Sequence, residues 1–479
     1  MTIQRRQPYL PPKPPELPEP PEPPEPTLPP DPGPSTEPRL SPKPTLPPDP
    51  SELPDSPESL EPPEPPGSGA VEVAPLIRNQ DFQTLWTSRF FAGLGKESGE
   101  VAYPLLMLLL AGSAAQAGFV GAAQVATAMI TAVLGGSLAD RADRRTLLLI
   151  CDLGRLVLLV AFAGMLFGGH ATVPLVFCVA VASSALMGIS NPVAMAAIKQ
   201  LVPSSQMAGA AAQNQIRFFT TTALGPPVAG FFFSLGRAFP FLAEAVCYLV
   251  STALILRIRR PMQAHHESEP ERLSLRGAVS GFVLLARHPI LRPMMLWIVG
   301  FNIAFTQTGA FLALIATADD RGASNFMVGL TVSLAGAGGL AGALVAGVVI
   351  RLVRPTAIFL FAAWSAPVFA LALLAAPGVL SLGLIMGCVF AAVPCVNAVF
   401  YGYVATSVPD RLQGRALGAV TFMALLSQPI GILSVGLLFD LAGPTMVFLM
   451  MAVVSALAAL FTLGPTMRAL PRPEEIAVP

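Results

Sequence analysis

Apolar segments of about twenty residues follow one another along the chain from residue 85 onward. Each is as long as an α-helix must be to cross about 30 Å of hydrocarbon. Continuous apolar stretches of this length exclude spanning β-strands, which are short and alternate apolar with polar residues. The pattern predicts twelve membrane-spanning helices, at 85–110, 118–138, 146–167, 173–198, 209–233, 239–256, 291–316, 328–350, 357–376, 380–404, 416–439 and 446–463.

Arginines fall in every second segment between the spans. The segments between spans two and three, six and seven, eight and nine, and ten and eleven are basic, as is the C-terminus, whereas the alternate segments hold little beyond Arg237 and Arg321. Short positively charged loops stay in the cytoplasm. We therefore expect a multi-pass plasma-membrane protein, in a bacterial inner membrane, with both termini cytoplasmic.

The longest segment between spans divides them six and six, and the two halves resemble each other. Val202-Pro203 aligns with Val408-Pro409 at an offset of 206, and at the same offset Gly225 aligns with Gly431 and Gly230 with Gly436. Two repeated bundles around one central site are typical of transporters. The predicted domains are a tail at 1–75, bundles at 76–258 and 290–465, a cytoplasmic linker at 259–289 and a C-terminal tail at 466–479.

Composition narrows the class of protein further. The chain is 53% hydrophobic and only 12% charged, about half the charged fraction of an ordinary soluble domain. This excludes a soluble enzyme, a nucleic-acid binder and a secreted disulfide scaffold. The five cysteines lie singly and the chain has four histidines, so we expect no metal site and no cofactor. Without a phosphate-binding P-loop or a catalytic triad, neither ATP drive nor an enzyme is supported.

The first 70 residues differ from the rest in composition. They contain 27 of the 50 prolines, with 12 acidic against 5 basic residues. Proline removes backbone donors, and few apolar residues are present to offset the entropy of ordering. We expect a disordered, solvated cytoplasmic arm. The alternative is a ligand for a proline-recognising partner, because PxxP spacings recur.

The segment between spans two and three carries a recognisable motif. Residues 136–145 read GSLADRADRR, which resembles the GxLADRxGRR signature of the major facilitator superfamily, with Asp143 where many members have glycine. The resemblance implies an all-α membrane fold of twelve helices in two six-helix bundles. It also implies a cytoplasmic gate in which Asp140 bonds a helix end, and its residues here are Gly136, Asp140, Arg141, Arg144 and Arg145.

Span five carries a second motif. Residues 224–230 read LGPPVAG, which is similar to the GPxxGG signature of the superfamily's antiporters at Gly225, Pro226 and Gly230. The resemblance of this motif implies proton-driven export. Residues 76–86 and 200–212, the aromatic-rich start of span six and residues 409–415 together resemble the branch of enterobactin exporters and macrolide-efflux permeases, and the resemblance covers residues 76–465. The fourth-span arginine of many superfamily drug exporters is absent, since 183–188 read SSALMG.

Charges inside the spans are candidates for proton coupling. Each costs about 2.5–3.5 kcal/mol near the bilayer centre on insertion scales. Lys96 and Glu100 are four residues apart and can pair, whereas Glu97 needs another partner. Counting from the span ends places Arg217 near Glu97, and Glu244 near the depth of Glu100. We expect Glu97 or Glu100 to carry the transported proton; the alternative is a permanent ion pair.

Uncharged polar residues outline a cavity for an amphiphilic small molecule. The candidates are Gln124, Gln213, Asn302, Thr306, Gln307, Asn397 and Tyr401. By contrast, Asp152 and Arg155 are expected near the cytoplasmic surface.

The sequence is compatible with three functions. The first is a proton-coupled exporter of a siderophore, macrolide-like or other amphiphilic compound, with protons and membrane lipids as its other partners. The second is an uptake permease or lipid flippase on the same fold. The third is a non-transporting membrane sensor or scaffold that acts through the proline-rich arm.

Overall fold

The structure is a computed structural model and describes residues 76–260, 262, 275–468 and 470. The proline-rich arm lies outside these residues. A first set of six helices comprises α1 (Gln80–Ala111), α2 (Ala114–Arg141), α3 (Arg144–Phe167), α4 (Val173–Leu201), α5 (Met207–Leu235) and α6 (Phe239–Arg257). Asn79, Ser113 and Asp143 begin α1, α2 and α3 as N-caps, each accepting a backbone N–H with its side chain.

The described residues of the second half form eight further helices. They are α7 (Leu275–Arg287), α8 (Leu291–Phe305), α9 (Gln307–Asp320), α10 (Asn325–Leu352), α11 (Pro355–Leu374), α12 (Val379–Ser407), α13 (Asp410–Leu460) and α14 (Pro465–Arg468). Helix α7 lies within the segment predicted as a linker. Its sequence alternates apolar and polar faces at helical spacing, a pattern that is too short to register as a span.

Ten of the described helices are long and apolar enough to cross a membrane. One of them covers Leu412–Leu463 and is about twice the length of a single crossing. Gly443, with φ +70°, breaks it into two helices. Helix α1, which carries the buried charges, is 32 residues long and adds the twelfth crossing. The predicted all-α fold of twelve helices is confirmed.

Span seven is discontinuous, which the sequence pattern did not indicate. Thr306 has extended backbone angles (φ −55°, ψ 140°) between α8 and α9. The apolar run 291–316 continues across this position, so hydropathy alone predicts one helix. Broken helices in membranes occur where the freed backbone faces a cavity or protein rather than lipid.

The aligned glycines of the two halves occupy equivalent contacts between the bundles. A β-carbon at Gly230 in α5 would lie 3.1 Å from Cα of Gly329 in α10. A β-carbon at Gly436 in α13 would lie 3.0 Å from Cα of Ala115 in α2. Small residues permit this close backbone approach between helices. The internal repeat in the sequence therefore corresponds to a structural repeat.

The two bundles touch at one end and separate at the other. We call the end where α2 ends and α3 begins the basic face, since Arg141, Arg144 and Arg145 lie there, and the other end the far face. The close contacts of α5 with α10 and of α2 with α13 lie in the half of the bundle next to the far face. Towards the basic face the helices part around a cavity lined by residues such as Ala132, Asn191 and Gln428.

Large apolar side chains cover the outer surface of the helices. Ile130, Val133 and Leu134 of α2 are 53–63% exposed, and Leu344, Val345 and Val348 of α10 are 50–65% exposed. A soluble protein would not carry apolar patches of this extent. Their outward positions fit a lipid-facing surface.

Candidate functional site

A cavity of about 530 Å³ lies between the two bundles. Its walls combine aromatic rings from both halves with a small set of charged groups. The aromatic lining residues include Tyr103, Phe218, Phe219, Trp297, Phe301, Phe305 and Phe390. The charged lining residues are Lys96, Glu100, Arg155 and Glu244. An apolar chamber with few polar groups suits a medium-sized amphiphilic molecule.

Four of the seven predicted cavity residues line this chamber: Gln124, Asn302, Gln307 and Asn397. The structure does not bring Gln213, Thr306 or Tyr401 to it. The Gln213 side chain accepts a hydrogen bond from Nε2 of Gln83 at 3.3 Å, near the basic face. Thr306 is buried at the helix break, and Tyr401 points outward with 54% of its surface exposed. Which side of a helix faces the cavity cannot be told from residue type alone.

Lys96 lies between two carboxylates of its own helix. Its Nζ is 2.9 Å from Oε1 of Glu97 and 3.1 Å from Oε1 of Glu100. Glu97 is almost fully buried, whereas the side chain of Glu100 is 18% exposed towards the cavity. One ammonium therefore serves two acids, and we call these three residues the Lys96 cluster.

The Lys96 cluster is also bonded to the second bundle. Nε2 of Gln307 donates to Oε2 of Glu97 at 2.7 Å, and Oγ1 of Thr308 donates to Oε2 of Glu100 at 3.0 Å. Gln307 and Thr308 are the first two residues of α9, directly after the break at Thr306. The start of a helix is favourable for negative charge. The break thus presents a helix start and two polar side chains to the carboxylates of the other half.

Glu244 of α6 pairs with Arg155 of α3, a residue that its position in the sequence predicts near the cytoplasmic surface. An Arg155 guanidinium nitrogen lies 3.3 Å from Oε1 of Glu244, and its Nε donates to Oγ of Ser183 at 3.0 Å. The guanidinium also stacks 4.1 Å above the ring of Tyr248. A β-carbon at Gly99 would lie 3.1 Å from Oε2 of Glu244, so Glu244 lies at about the depth of Glu100.

The expected surface positions of Asp152 and Arg155 are wrong. They are 1% and 5% exposed, because α3 turns both side chains into the first bundle. Asp152 forms an ion pair with Arg89 of α1 and accepts a hydrogen bond from Oγ of Ser251 at 2.6 Å. Position along a span indicates depth, whereas only the neighbouring helices decide whether a charge near its end is buried.

Arg217 lies beside the charged groups without reaching a carboxylate of the described residues. Its guanidinium donates to the carbonyl oxygen of Arg89 at 3.0 Å, and its Nε lies 3.4 Å from Oδ1 of Asn214. A β-carbon at Gly93 of α1 would lie 3.3 Å from a terminal guanidinium nitrogen of Arg217. Arg217 therefore joins α5 to the backbone of α1.

The motif at 136–145 joins four elements at the basic face. The Arg144 side chain donates to the carbonyl oxygens of Ala139, Ala196 and Met262 at 3.0–3.2 Å. Arg145 donates to the carbonyl oxygen of Leu256 at the end of α6 at 2.6 Å. Asp140 and Arg141 are exposed, and Gly136 has open space around it. The helix-end bonding expected of Asp140 is made by Arg144 and Arg145.

Asp143, the departure from the superfamily motif, is the N-cap of α3. Its carboxylate accepts from the backbone N–H of Thr146 at 2.8 Å and from the Thr146 hydroxyl at 2.6 Å. Burial alone would raise the pKa of Asp143, but these hydrogen bonds and the nearby Arg145 lower it below its usual value. The residue thus has a local structural role at this position.

The motif in span five packs against the Lys96 cluster. A β-carbon at Gly225 would lie 2.5 Å from Cβ of Glu97 and 2.8 Å from its carbonyl carbon. The equivalent Gly431 packs on the backbone of Ile303 in α8. Pro226 lies inside α5, and its carbonyl oxygen faces Gly329 of α10. The absence of a side chain at position 225 is what lets α5 approach α1 beside Glu97.

Comparisons with known proteins agree with this architecture. The sequence profile of the Major Facilitator Superfamily matches residues 85–400 and 296–478. The MFS-type transporter YkuC of Bacillus subtilis (strain 168) is 25% identical over 76% of this chain and 86% of its own length. The multidrug efflux pump Tap of Mycolicibacterium fortuitum is 26% identical over 75% of this chain and 89% of its own length. The crystal structure of the nucleoside transporter NupG superposes with a TM-score of 0.63 at 16% identity, covering 80% of this chain and 98% of that one.

Proposed function

The chain belongs to the major facilitator superfamily of membrane transporters, and from this premise we propose that it exports amphiphilic organic molecules in exchange for protons. Export of drugs, macrolide-like compounds or siderophores by alternating access is the activity that best fits the cavity. Similarity to the multidrug efflux pump Tap supports export as the direction of transport and a range of different compounds as cargo.

The chemistry of the cavity supports an amphiphilic cargo. Rings such as Phe218, Phe301 and Phe390 supply apolar surface, and Gln124, Asn302 and Asn397 supply hydrogen bonds from both halves. A sugar or an inorganic ion would need a denser polar lining. The volume of about 530 Å³ is within the range of sites for drug-sized ligands.

The shared Lys96 ammonium is the observation that carries the proton-coupling proposal. Two carboxylates divide one cation, so a proton on either acid removes one ion pair while the other remains. The same acid then loses acceptor strength towards Gln307 or Thr308 of the second bundle. Protonation therefore weakens a bond between the bundles, which is the coupling that alternating access requires.

Neighbouring charges reach this cluster from three other helices. Arg155 on α3 pairs with Glu244 on α6, and Arg217 on α5 lies on the other side of α1. A cationic or hydrogen-bonding cargo in the cavity changes the balance of charge beside Glu100, which is the more exposed acid. Cargo and proton thereby compete for one set of groups.

The orientation of the protein in the membrane decides which side of the membrane the cavity faces. The basic face is cytoplasmic, in accord with the positive-inside rule, and the membrane is the plasma membrane. The cavity then opens to the cytoplasm, where cargo is collected. A proton from outside reaches the Lys96 cluster when the far face opens.

Proton flux and cargo flux in reconstituted vesicles test this function. Vesicles with an inward proton gradient should drive a fluorescent amphiphilic dye outward, and Glu97→Gln or Glu100→Gln should reduce coupled transport at least tenfold while dye still binds. Asp320→Asn removes an exposed carboxylate far from the cavity and serves as the matched control. Unchanged coupling in both glutamate variants would remove the cluster from the mechanism, and dye accumulation in the opposite direction would indicate an uptake permease.

A further inference from the structure

A carboxylate from the second bundle bonds the start of a helix in the first bundle at the far face. Asp440 of α13 accepts from the Ser113 hydroxyl at 2.5 Å, from the Ala114 N–H at 2.7 Å and from the Ala115 N–H at 3.0 Å. These three donors lie at the N-terminus of α2. None of the motifs in the sequence includes Asp440.

Helix α2 lacks an acidic residue of its own in its first turn. The Ser113 side chain accepts from the N–H of Gln116 at 3.2 Å, which leaves the preceding N–H groups without an acceptor inside the helix. Asp440 accepts from them, and its negative charge also suits the positive end of the helix dipole. A group from the other bundle therefore completes the cap of α2.

The bond lies at the end of the closest contact between α2 and α13. A β-carbon at Gly118 would lie 3.0 Å from the carbonyl oxygen of Ile432, and Gly436 packs on the backbone of Ala114. Towards the basic face the same helices diverge, and Ala128 of α2 and Leu425 of α13 line opposite walls of the cavity. Opening the far face requires this contact to separate.

The equivalent position of the first half carries no such group. At the repeat offset of 206, Asp440 corresponds to Ser234 near the end of α5. The Ser234 hydroxyl donates to the carbonyl oxygen of Phe231 in its own helix at 2.6 Å. Helix α10 is capped by its own Ser324, which accepts from the N–H of Met327 at 3.4 Å. The α5–α10 contact at this level is made by packing, whereas the α2–α13 contact is bonded by a carboxylate.

We propose that Asp440 is a latch that holds the far face closed and releases when the two bundles part there. The proposal rests on alternating access as part of the proposed function. The latch raises the population of the state that is open to the basic face. Its loss shifts the equilibrium towards the state that is open at the far face, with no direct effect on the cavity.

Distances between α2 and α13 at the far face test the latch without cargo or a proton gradient. Spin labels replace Phe119 and Leu441, both exposed, in a variant whose five cysteines are changed to serine. In Asp440→Ala the ratio of long to short distances should rise about fivefold, the effect of losing one helix cap. Asp440→Asn keeps the shape of the side chain and should give a smaller rise in this ratio. It therefore tests the latch if the alanine variant does not fold.

Asp320→Asn removes an exposed carboxylate at the end of α9, also on the far face, and should leave the distances unchanged. An unaltered distance distribution in both Asp440 variants would overturn the latch, as would an equal shift in Asp320→Asn. The distances do not depend on transport. A protein that fails to export dye but shows the shift therefore contradicts the proposed function and supports the latch.

Discussion

Most of the charged side chains buried inside the first bundle lie beside a side chain of opposite charge. Among the ion pairs in the interior of the described part of this bundle, four carboxylates meet three cations: Glu97 and Glu100 share Lys96, Glu244 meets Arg155, and Asp152 meets Arg89. An unpaired charge in a low-dielectric interior is far more costly than a paired one. The pairs that are matched one to one are suited to structural roles, and the shared one is suited to changing its protonation.

The pair of Asp152 and Arg89 allows a direct test of that distinction. Asp152→Asn leaves Arg89 buried without a counter-charge, and we expect it to lower the free energy of unfolding by about 3 kcal/mol or more. The double variant Arg89→Gln with Asp152→Asn should recover much of this loss, because neither charge remains. Thermal unfolding in detergent measures both. Equal destabilisation by the single and double variants would contradict a structural ion pair.

Asp143 should contribute a stability that depends on pH. Because the pKa of its carboxyl is lowered in the folded protein, the contribution is full above the unfolded value of about 3.9 and is lost as pH falls through the folded value. Asp143→Ala should lower the free energy of unfolding by about 1 kcal/mol at pH 7, the usual effect of a lost N-cap. At acid pH the difference from the unsubstituted protein should shrink. A difference that is constant with pH would mean that the charge is not involved.

Interruptions of regular helix give the elements their functional geometry. The break at Thr306 lets α9 begin beside Glu97 and Glu100, and the φ of +70° at Gly443 separates the last two spans. Glycines at 225, 230, 431 and 436 set how closely α5 and α13 approach their neighbours. At Thr306, a continuous helix would move Gln307 and Thr308 away from the carboxylates that they bond.

Gly225→Ala should separate α5 from α1. Its β-carbon would lie 2.5 Å from Cβ of Glu97, so one of the two helices must move. We expect reduced thermal stability together with a loss of proton coupling, because Glu97 belongs to the Lys96 cluster. Gly164→Ala in α3 is the matched control, since nothing lies within 4 Å of a β-carbon there. Reconstituted transport and thermal unfolding of the two variants should therefore differ; equal behaviour would show that the close approach is unimportant.

At the scale of the whole chain, the transporter is contained in the two bundles. The cavity, the Lys96 cluster and the Asp440 contact are all built from residues between 79 and 440. The similar transporters also align with about three quarters of the chain. The proline-rich arm is therefore expected to act on regulation or recruitment rather than on transport.

Deleting residues 1–70 tests this separation. We expect the shortened protein to export dye at the same rate per molecule, measured in vesicles of matched protein content, because each part of the proposed mechanism lies beyond residue 76. A loss of transport with normal membrane insertion would instead support a function that depends on the arm, such as a sensor or scaffold.

Much of the fold follows from the chain alone because lipid imposes a simple rule. Every spanning backbone must satisfy its own hydrogen bonds, so apolar length predicts helices, and repeated glycines predict two related bundles. The twelve helices and the superfamily are confirmed. Hydropathy does not indicate the break at Thr306, because the stretch Leu291–Asp320 as a whole is apolar enough to span, although Gln307 and Thr308 directly follow the break.

For the buried charges, too, the sequence predicts one part of the arrangement and the tertiary structure determines the other. Their presence in α1 and their unusual cost can be read from the order of residues, which made Lys96, Glu97 and Glu100 candidates before any helix was placed. Their partners outside α1 come from α9, Arg155 of α3 pairs with Glu244 of α6, and all of these contacts depend on the rotation of each helix about its own axis. Packing between helices sets that rotation, and packing is a property of the assembled bundle. For the same reason, the roles of Arg155 and Asp440 depend on the tertiary structure. The membrane-spanning helices, by contrast, are determined by the local composition of the sequence.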